Sequence, residues 1–568
     1  MADEHRHPQD RQSPGRIPLA MKRWRPDDEV DFVIVGSGSA GGIMARELAR
    51  GGFSVVVLEQ GPWLDARDFK HDELGYMVYE DLANEHAGNP NTFRSSPTEE
   101  AVKRPAIWYA RAVGGGSLHF SANFWRFPES EFRMASRYGV PKGTSVADWP
   151  ISYSDLEPYY TKVEWEIGVS GDSSPNRHLP SRSKGYPMPP VPVTGASAVL
   201  EAGARKLGLN VTPAPLAINS RPYNGRSGCV ACGFCFAHGC EVNAKSSTMA
   251  TVIPQAVATG RCEVRPRSRV LRVETDDRGR VSGVTYADAA KREVRQRAKA
   301  VVLCANGAET PRLLLLSATP RFPDGLANSS GQVGKNLVLN GGKVVQGMHP
   351  QEINAWKGVV ASRVVWDWHE LDPQKTGFYG GGAIDGRHLN VGLPMGGTTF
   401  RPPGEPTWGL GWKHELRDWN NRGLIAYGHT STLPIETNRI DLDPRLKDAW
   451  GVPAVRMTHN DDPRDFELME FFVKKCTEIL EAAGVERLWA APYFAYPAPH
   501  LLGTARMGKD PRHSVVDADH RAHDVRNLFI CDGSSLPTGG RGQPTMTIMA
   551  LAFRAGERIA ALAKRGEV

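Results

Sequence analysis

The sequence predicts an α/β protein on three observations. A strand–glycine turn–helix–strand unit occupies residues 31–61, continuous apolar strands recur further along, and residues 345–490 carry short β-like runs of their own. In the first unit DFVIV is an apolar run, the turn Gly36-Ser37-Gly38-Ser39-Ala40-Gly41 follows, and Ile43, Met44 and Leu48 give the next segment one apolar face. Gly51-Gly52 end that helix, and Ser54 to Leu58 is a β-branched run of the kind buried on both faces of a parallel sheet. Period-two alternation in CEVRPRSRVLRVE and RGRVSGVTYAD predicts strands over 262–304, with KAVVLCANG as a further buried strand. Phe466, Met469, Phe472, Ile479 and Leu480 fall at helical spacing within 464–485, and 545–563 forms a closing helix. The 345–490 region, rich in tryptophan, glycine and histidine, suits a second, antiparallel-rich sheet that binds substrate. Trp356, Trp366, Trp368, Trp408 and Trp412 are better read there as core than as sugar-stacking faces.

A length of 568 residues allows two to four structural units. Against 63 acidic residues stand 69 basic ones, a net +6 without any Lys/Arg block, which argues against nucleic acid as a partner. No apolar run approaches the ~18 residues of a membrane span. The first 30 residues are charged and proline-bearing, without the apolar stretch of a secretory leader, so the expectation is a cytoplasmic protein with a solvated tail over 1–29. Of eight cysteines, Cys262, Cys304, Cys476 and Cys531 are scattered and read as buried thiols.

Chemistry begins at the glycine turn. Gly36 permits the tight bend, Gly38 lets backbone approach a pyrophosphate, and Gly41 lets helix and strand pack closely. Glu59, at the end of the second strand, is placed to accept from ribose hydroxyls, which together predicts a dinucleotide site. NAD and FAD share this fingerprint. Distant glycine-rich segments at 111–126 (RAVGGGSLHFSANFWR), 500–508 (HLLGTARMG) and 532–547 (DGSSLPTGGRGQPTMT) favour FAD, which in extended form needs contacts from remote parts of a chain.

With these segments the sequence resembles the glucose–methanol–choline (GMC) family of FAD-dependent oxidoreductases over about 31–563. Its markers are the fingerprint, GGGS at 114–117, NGAETPRLLLLS at 306–317, VGKNL at 333–337, HLLGTARMG, and DGS…QPTMTIMALA at 532–552. Within the family it looks most like the large catalytic subunits of sugar, gluconate and glucoside dehydrogenases. The resemblance implies a Rossmann-like FAD-binding domain over 30–135, 195–345 and 495–568, interleaved with an α+β substrate-binding domain over 136–194 and 346–494. It implies cofactor contacts at Gly36, Gly38, Ser39, Ala40, Gly41, Glu59, Arg111, Gly115, Gly116, Ser117, His119, Val270, Asp532, Gly533, Gln543 and Thr545. His500 holds the position of the family's base, taking the hydroxyl proton as hydride leaves the substrate carbon for flavin N5. Where relatives carry asparagine or histidine before a proline this chain has Gln543, which can orient a hydroxyl but cannot act as a base. In some relatives a histidine near the place of His119 is bonded to the flavin; here a covalent link and a ring packed beside the isoalloxazine both stand open.

Cys229, Cys232, Cys235 and Cys240 follow C-x2-C-x2-C-x4-C spacing, closer to ferredoxin-type ligation than to paired zinc knuckles. A [3Fe–4S] or [4Fe–4S] cluster is the favoured reading, with zinc, a disulfide pair or bare thiols as alternatives. The expected activity is FAD-dependent oxidation of a CH–OH group of a sugar, glycoside or polyol. Electrons would pass to an acceptor other than NAD, through a small subunit, a cytochrome or a quinone. The alternatives are an oxygen-using alcohol oxidase or a dehydrogenase of aryl or alkyl alcohols. Export with a signal-bearing partner, known among such large subunits, sets the periplasm beside the cytoplasm as a location.

Overall fold

The structure is a computed structural model that describes residues 21–71, 82, 88–388, 404–491 and 498–568. Strand Val30–Val35 runs parallel to Val55–Leu58 on one side and to Glu293–Leu303 on the other. Cys262–Arg265 and Leu528–Ile530 extend this parallel set outward. Helix Ser39–Arg50 connects the first two strands, and Ile43, Met44 and Leu48 are fully buried, as their spacing predicts. Gly36 adopts φ +91°, and a side chain on Gly41 would lie 1.9 Å from the Gly36 carbonyl oxygen. Helix and turn are therefore packed backbone on backbone.

Strand Glu293–Leu303 serves two environments. Its first half pairs antiparallel with Val281–Ala287, which pairs in turn with Arg269–Thr275. Its second half lies in the parallel core. Exposure alternates up to Lys299 and burial is continuous from Ala300. KAVVLCANG, expected as a separate strand, is thus the continuation of the strand before it. No turn residue interrupts the backbone where one side of the strand passes from solvent into the core.

A second sheet orders its strands as Arg487–Ala490, Gly341–Met348, Gly423–Thr430, Gly382–Arg387, Ala361–Val365 and Val211–Pro213, antiparallel throughout. Helices Pro463–Ala482 and Gly195–Lys206 cover one face. The longer helix starts at Asp462, whose carboxylate accepts from the Arg464 N–H while Asp465 reciprocates, with Pro463 in the first turn. Its Phe472 sits over Gly382 and Gly428, where a side chain on the latter would come within 2.7 Å of the Phe472 Cβ. A third sheet joins Arg439–Lys447, Pro453–Thr458, Asn91–Arg94 and Val102–Lys103. The last helix, Thr545–Lys564, lies against Ser39–Arg50 and Tyr153–Val163.

Two expected boundaries differ from the structure. Residues 195–213, assigned by sequence to the dinucleotide-binding part, join the second sheet, because Ala196, Leu200 and Ala204 bury their apolar face with Ile384 and Leu480. Of the expected tail, residues 1–20 lie outside the described residues. Met21, however, is buried, and the Trp24 N–H donates to Glu263 at 2.8 Å, so this part is fastened to the edge strand. Trp366 is fully buried and Trp368 packs edge-on against Phe471 and Phe472, as the core reading expects, whereas Trp408 is exposed.

Gly41→Ala should destabilise the protein by about 1–3 kcal/mol, because the helix must move off the turn to admit one methyl group. Thermal unfolding checks this, with a lowered midpoint expected.

Candidate active site

The expected site residues Gly36, Gly38, Ser39, Ala40, Glu59, Gly115, Gly116, His119, Val270, His500, Asp532, Gly533, Gln543 and Thr545 all border one cavity of about 620 Å³. They come from both ends of the chain and from its middle. On one wall helix Ser39–Arg50 begins at Gly38 without a side-chain cap, which suits an anionic group. Gly115 approaches so closely that a side chain there would come 2.8 Å from the Gly38 Cα. The Ser37 hydroxyl ties these pieces together: it donates to Glu59 at 2.7 Å and accepts from the Gly114 N–H at 3.1 Å. Glu59 also accepts from the N–H groups of Ser37 and Gly61. Burial raises its carboxyl above the ordinary value in spite of these bonds. Asp532 accepts from the Asn306 and Ser534 N–H groups and from the Thr310 hydroxyl, pinning the 532–535 turn to helix Asn306–Leu316. A cradle of glycine backbone with an uncapped helix start and an acid fits a dinucleotide of the FAD type.

Three expected contacts lie behind this wall. Gly41 is spent on helix packing. Ser117 donates to the Gly114 carbonyl at 2.6 Å and accepts from the Thr248 N–H, bracing the GGGS turn. Arg111 is buried near Glu59 and does not border the cavity. Thr248 was not singled out from sequence, yet its hydroxyl donates to the Ser37 carbonyl at 3.2 Å. Its sequence signal is the run GCEVNAKSST at 239–248, which follows the cysteine-rich segment. His119 borders the cavity with Nδ1 3.0 Å from the Gly116 carbonyl and, among the described residues, no hydrogen-bond partner at Nε2. Burial lowers its pKa to about 4.

Another part of the wall holds the groups suited to acid–base work. His500 is half-buried, and desolvation pushes its pKa down to about 4, with His429 adding in the same direction. Its imidazole is therefore a neutral acceptor at neutral pH. Gln543 Nε2 lies 3.1 Å from His429 Nδ1. His429 escaped the sequence reading because it stands in a β-run, GLIAYGHT, that carries no motif. Its Nε2 lies 2.9 Å from Asp385, and Arg387 clasps the same carboxylate. Asn123 and Asn340 also line the cavity, each with a buried side-chain oxygen that has no partner among the described residues. Trp356, Trp366, Trp368, Trp408 and Trp412 do not border it.

The thiols of the cysteine-rich loop border a separate space, although Phe236 of the same loop lines the main cavity. Cys229, Cys232, Cys235 and Cys240 border a second, small cavity of about 20 Å³ with His71, Phe234 and Lys245. Cys229 accepts from the Ala231 N–H and Cys240 from the Lys245 N–H, at 3.4 and 3.5 Å. Burial raises the Cys229 and Cys232 thiols and pushes Cys235 up to about 12. Among the described residues, no three His, Cys, Asp or Glu side chains are drawn together as a ready metal site. The donor set fits a soft metal; the spacing of the sulfurs does not yet do so. Lys245 secures the loop through the carbonyls of Phe120, Cys235 and His238.

Comparison with known proteins agrees with this geometry. The chain is 32% identical over 544 residues to 2-methyl-1,2-propanediol dehydrogenase of Mycolicibacterium austroafricanum, covering 94% of this chain and 95% of the relative. It is 31% identical to the fructose dehydrogenase large subunit of Gluconobacter japonicus, with 94% and 98% covered. Gluconate 2-dehydrogenase flavoprotein of Pantoea cypripedii is 30% identical, with 94% and 93% covered. Among solved structures, formate oxidase of Aspergillus oryzae superposes with a TM-score of 0.66 at 16% identity, covering 95% of this chain and 100% of that one. Family models described as GMC oxidoreductase match residues 30–340 and 434–552. The chain belongs to the GMC oxidoreductase family, enzymes that act on alcohol groups with FAD.

Proposed function

We propose that the protein oxidises a CH–OH group of a sugar, glycoside or polyol to the carbonyl, with His500 as base. One observation carries this reading: the glycine cradle and the His500–Gln543–His429 group border the same cavity. FAD, when bound, supplies the acceptor for the hydride leaving the substrate carbon. His500 takes the hydroxyl proton, so the alcohol loses two electrons and two hydrogens and becomes a carbonyl. Gln543 holds the reacting oxygen, its amide offering both a donor and an acceptor. The buried oxygens of Asn123 and Asn340 support a substrate with further hydroxyls, since each would otherwise remain unsatisfied.

We further propose an iron–sulfur cluster on the four loop cysteines from their C-x2-C-x2-C-x4-C order in sequence; their side chains would have to close around it, since here they are not drawn together as a metal site. Its chemistry is one-electron transfer, consistent with a small subunit and a cytochrome or quinone as acceptor; one relative is itself named as a large subunit.

Anaerobic mixing of the flavoprotein with a panel of sugars, polyols and simple alcohols tests the reading, and bleaching of the flavin by polyhydroxylated members is expected. Bleaching by none of them would refute it. His500→Asn should retain FAD and slow bleaching by about 10²- to 10⁴-fold. Because the neutral imidazole is the active form and its pKa is lowered from 6.5 to about 4, the limiting rate should hold as pH falls through 6.5 and drop only near pH 4. Iron and acid-labile sulfide analysis of anaerobically purified protein should give about three to four irons per chain; zinc alone would overturn the cluster.

A further inference from the structure

We propose that His429, anchored by Asp385, is a positioning residue that fixes the amide of Gln543 beside His500. This rests on the proposed alcohol oxidation and adds a part that the family motifs do not contain. The residues come from two adjacent antiparallel strands of the second sheet, Gly382–Arg387 and Gly423–Thr430, with Ala383 opposite His429 and Asp385 opposite Tyr427. Alternation along these strands puts Asp385, Arg387, Tyr427 and His429 on one face, and Arg387, Tyr427 and His429 border the cavity. The intervening Ile384 and Gly428 face the core beneath helix Pro463–Ala482.

The hydrogen-bond inventory selects the tautomer. His429 Nε2 lies 2.9 Å both from Asp385 Oδ2 and from Arg387 Nη2. Arginine only donates and a carboxylate only accepts, so one ring nitrogen cannot bond both. Arg387 already donates to Asp385 through Nε at 2.6 Å and through Nη2, and the Asn123 amide donates to the same carboxylate at 3.2 Å. Burial alone would raise the Asp385 carboxyl; Arg387 and then His429 overcome it and hold it far below the usual range. A permanent carboxylate beside Nε2 keeps the proton there. Nδ1 is then left as an acceptor, 3.1 Å from the Gln543 amide nitrogen. One amide hydrogen is committed to His429, and the second hydrogen and the carbonyl remain for the substrate oxygen.

The ring itself is immobilised. Trp125 meets it edge-on at 5.1 Å, Tyr427 packs at 4.2 Å, and a side chain on Gly542 would come 2.8 Å from the His429 Cβ. Burial lowers the His429 pKa against the pull of Asp385, so the ring next to His500 carries no charge. His500 is left as the group that receives the proton. Glutamine at the position before Pro544 needs this help, since its extra methylene adds a torsion that must be restrained before the amide can be aimed.

The test uses the FAD-loaded enzyme and compares His429→Phe, His429→Asn, Gln543→Ala and the His429→Phe/Gln543→Ala double variant. His429→Phe and Gln543→Ala should each lower the limiting rate of flavin reduction about 10- to 100-fold with FAD content retained. The double variant should be no slower than the slower single one. His429→Asn, which keeps an acceptor near the place of Nδ1, should recover most of the rate. Independent of turnover, nitrogen NMR of histidine-labelled protein should show the resonance missing in His429→Asn to be a neutral Nε2–H imidazole. Multiplicative losses in the double variant, no rescue by asparagine, or an Nδ1–H tautomer would each overturn the proposal. If no alcohol reduces the wild type, the proposed activity fails, and the NMR result still decides the positioning role.

Discussion

Everything in this protein depends on a close approach of bare backbone. Gly115 lies against Gly38, and Gly36 lies against Gly41 and the Cys304 carbonyl, while the Ser37 hydroxyl bonds both Glu59 and the Gly114 N–H between them. A surface of peptide groups results, next to a helix start with no side-chain cap. Such a surface is suited to a phosphate-bearing cofactor because its amide dipoles are fixed before the ligand arrives. Single methyl groups at these positions would separate segments more than 70 residues apart in sequence, which is why the site and the fold share one constraint.

The second sheet contributes the opposite kind of surface. Its helix-covered face is apolar and nearly seamless, while its cavity face carries Asp385, Arg387, Tyr427 and His429. A buried carboxylate–guanidinium pair is costly unless its hydrogen bonds are satisfied. Here Asn123 and His429 complete the set. On the proposed reading, this face of the sheet also sets the tautomer of His429 beside the amide of Gln543.

Much of this was legible in the sequence. The first strand, turn and helix could be read from glycine spacing and apolar period, because short-range sterics decide them. The place of His500 and Gln543 at the cavity could be read because both sit in motifs. Burial of Cys304, Cys476 and Cys531 followed from their apolar neighbours. What could not be read depends on contacts between remote segments. His429 and Asp385 lie 44 residues apart and become partners only through strand register. Gly41, Arg111 and Ser117 belong to the right segments but do not border the cavity; Gly41 and Ser117 serve packing and turn bonds instead. The helix at 195–206 joined the second sheet because its apolar stripe matched that surface, a choice that periodicity alone does not make.

Hydrogen–deuterium exchange on the protein with and without FAD tests the central claim most directly. If remote segments wrap one cofactor, FAD should slow exchange together at 36–41, 114–119, 304–309 and 532–545. Protection confined to the first of these, with the others unchanged, would contradict the shared cavity and with it the assignment of His500 to the reacting centre.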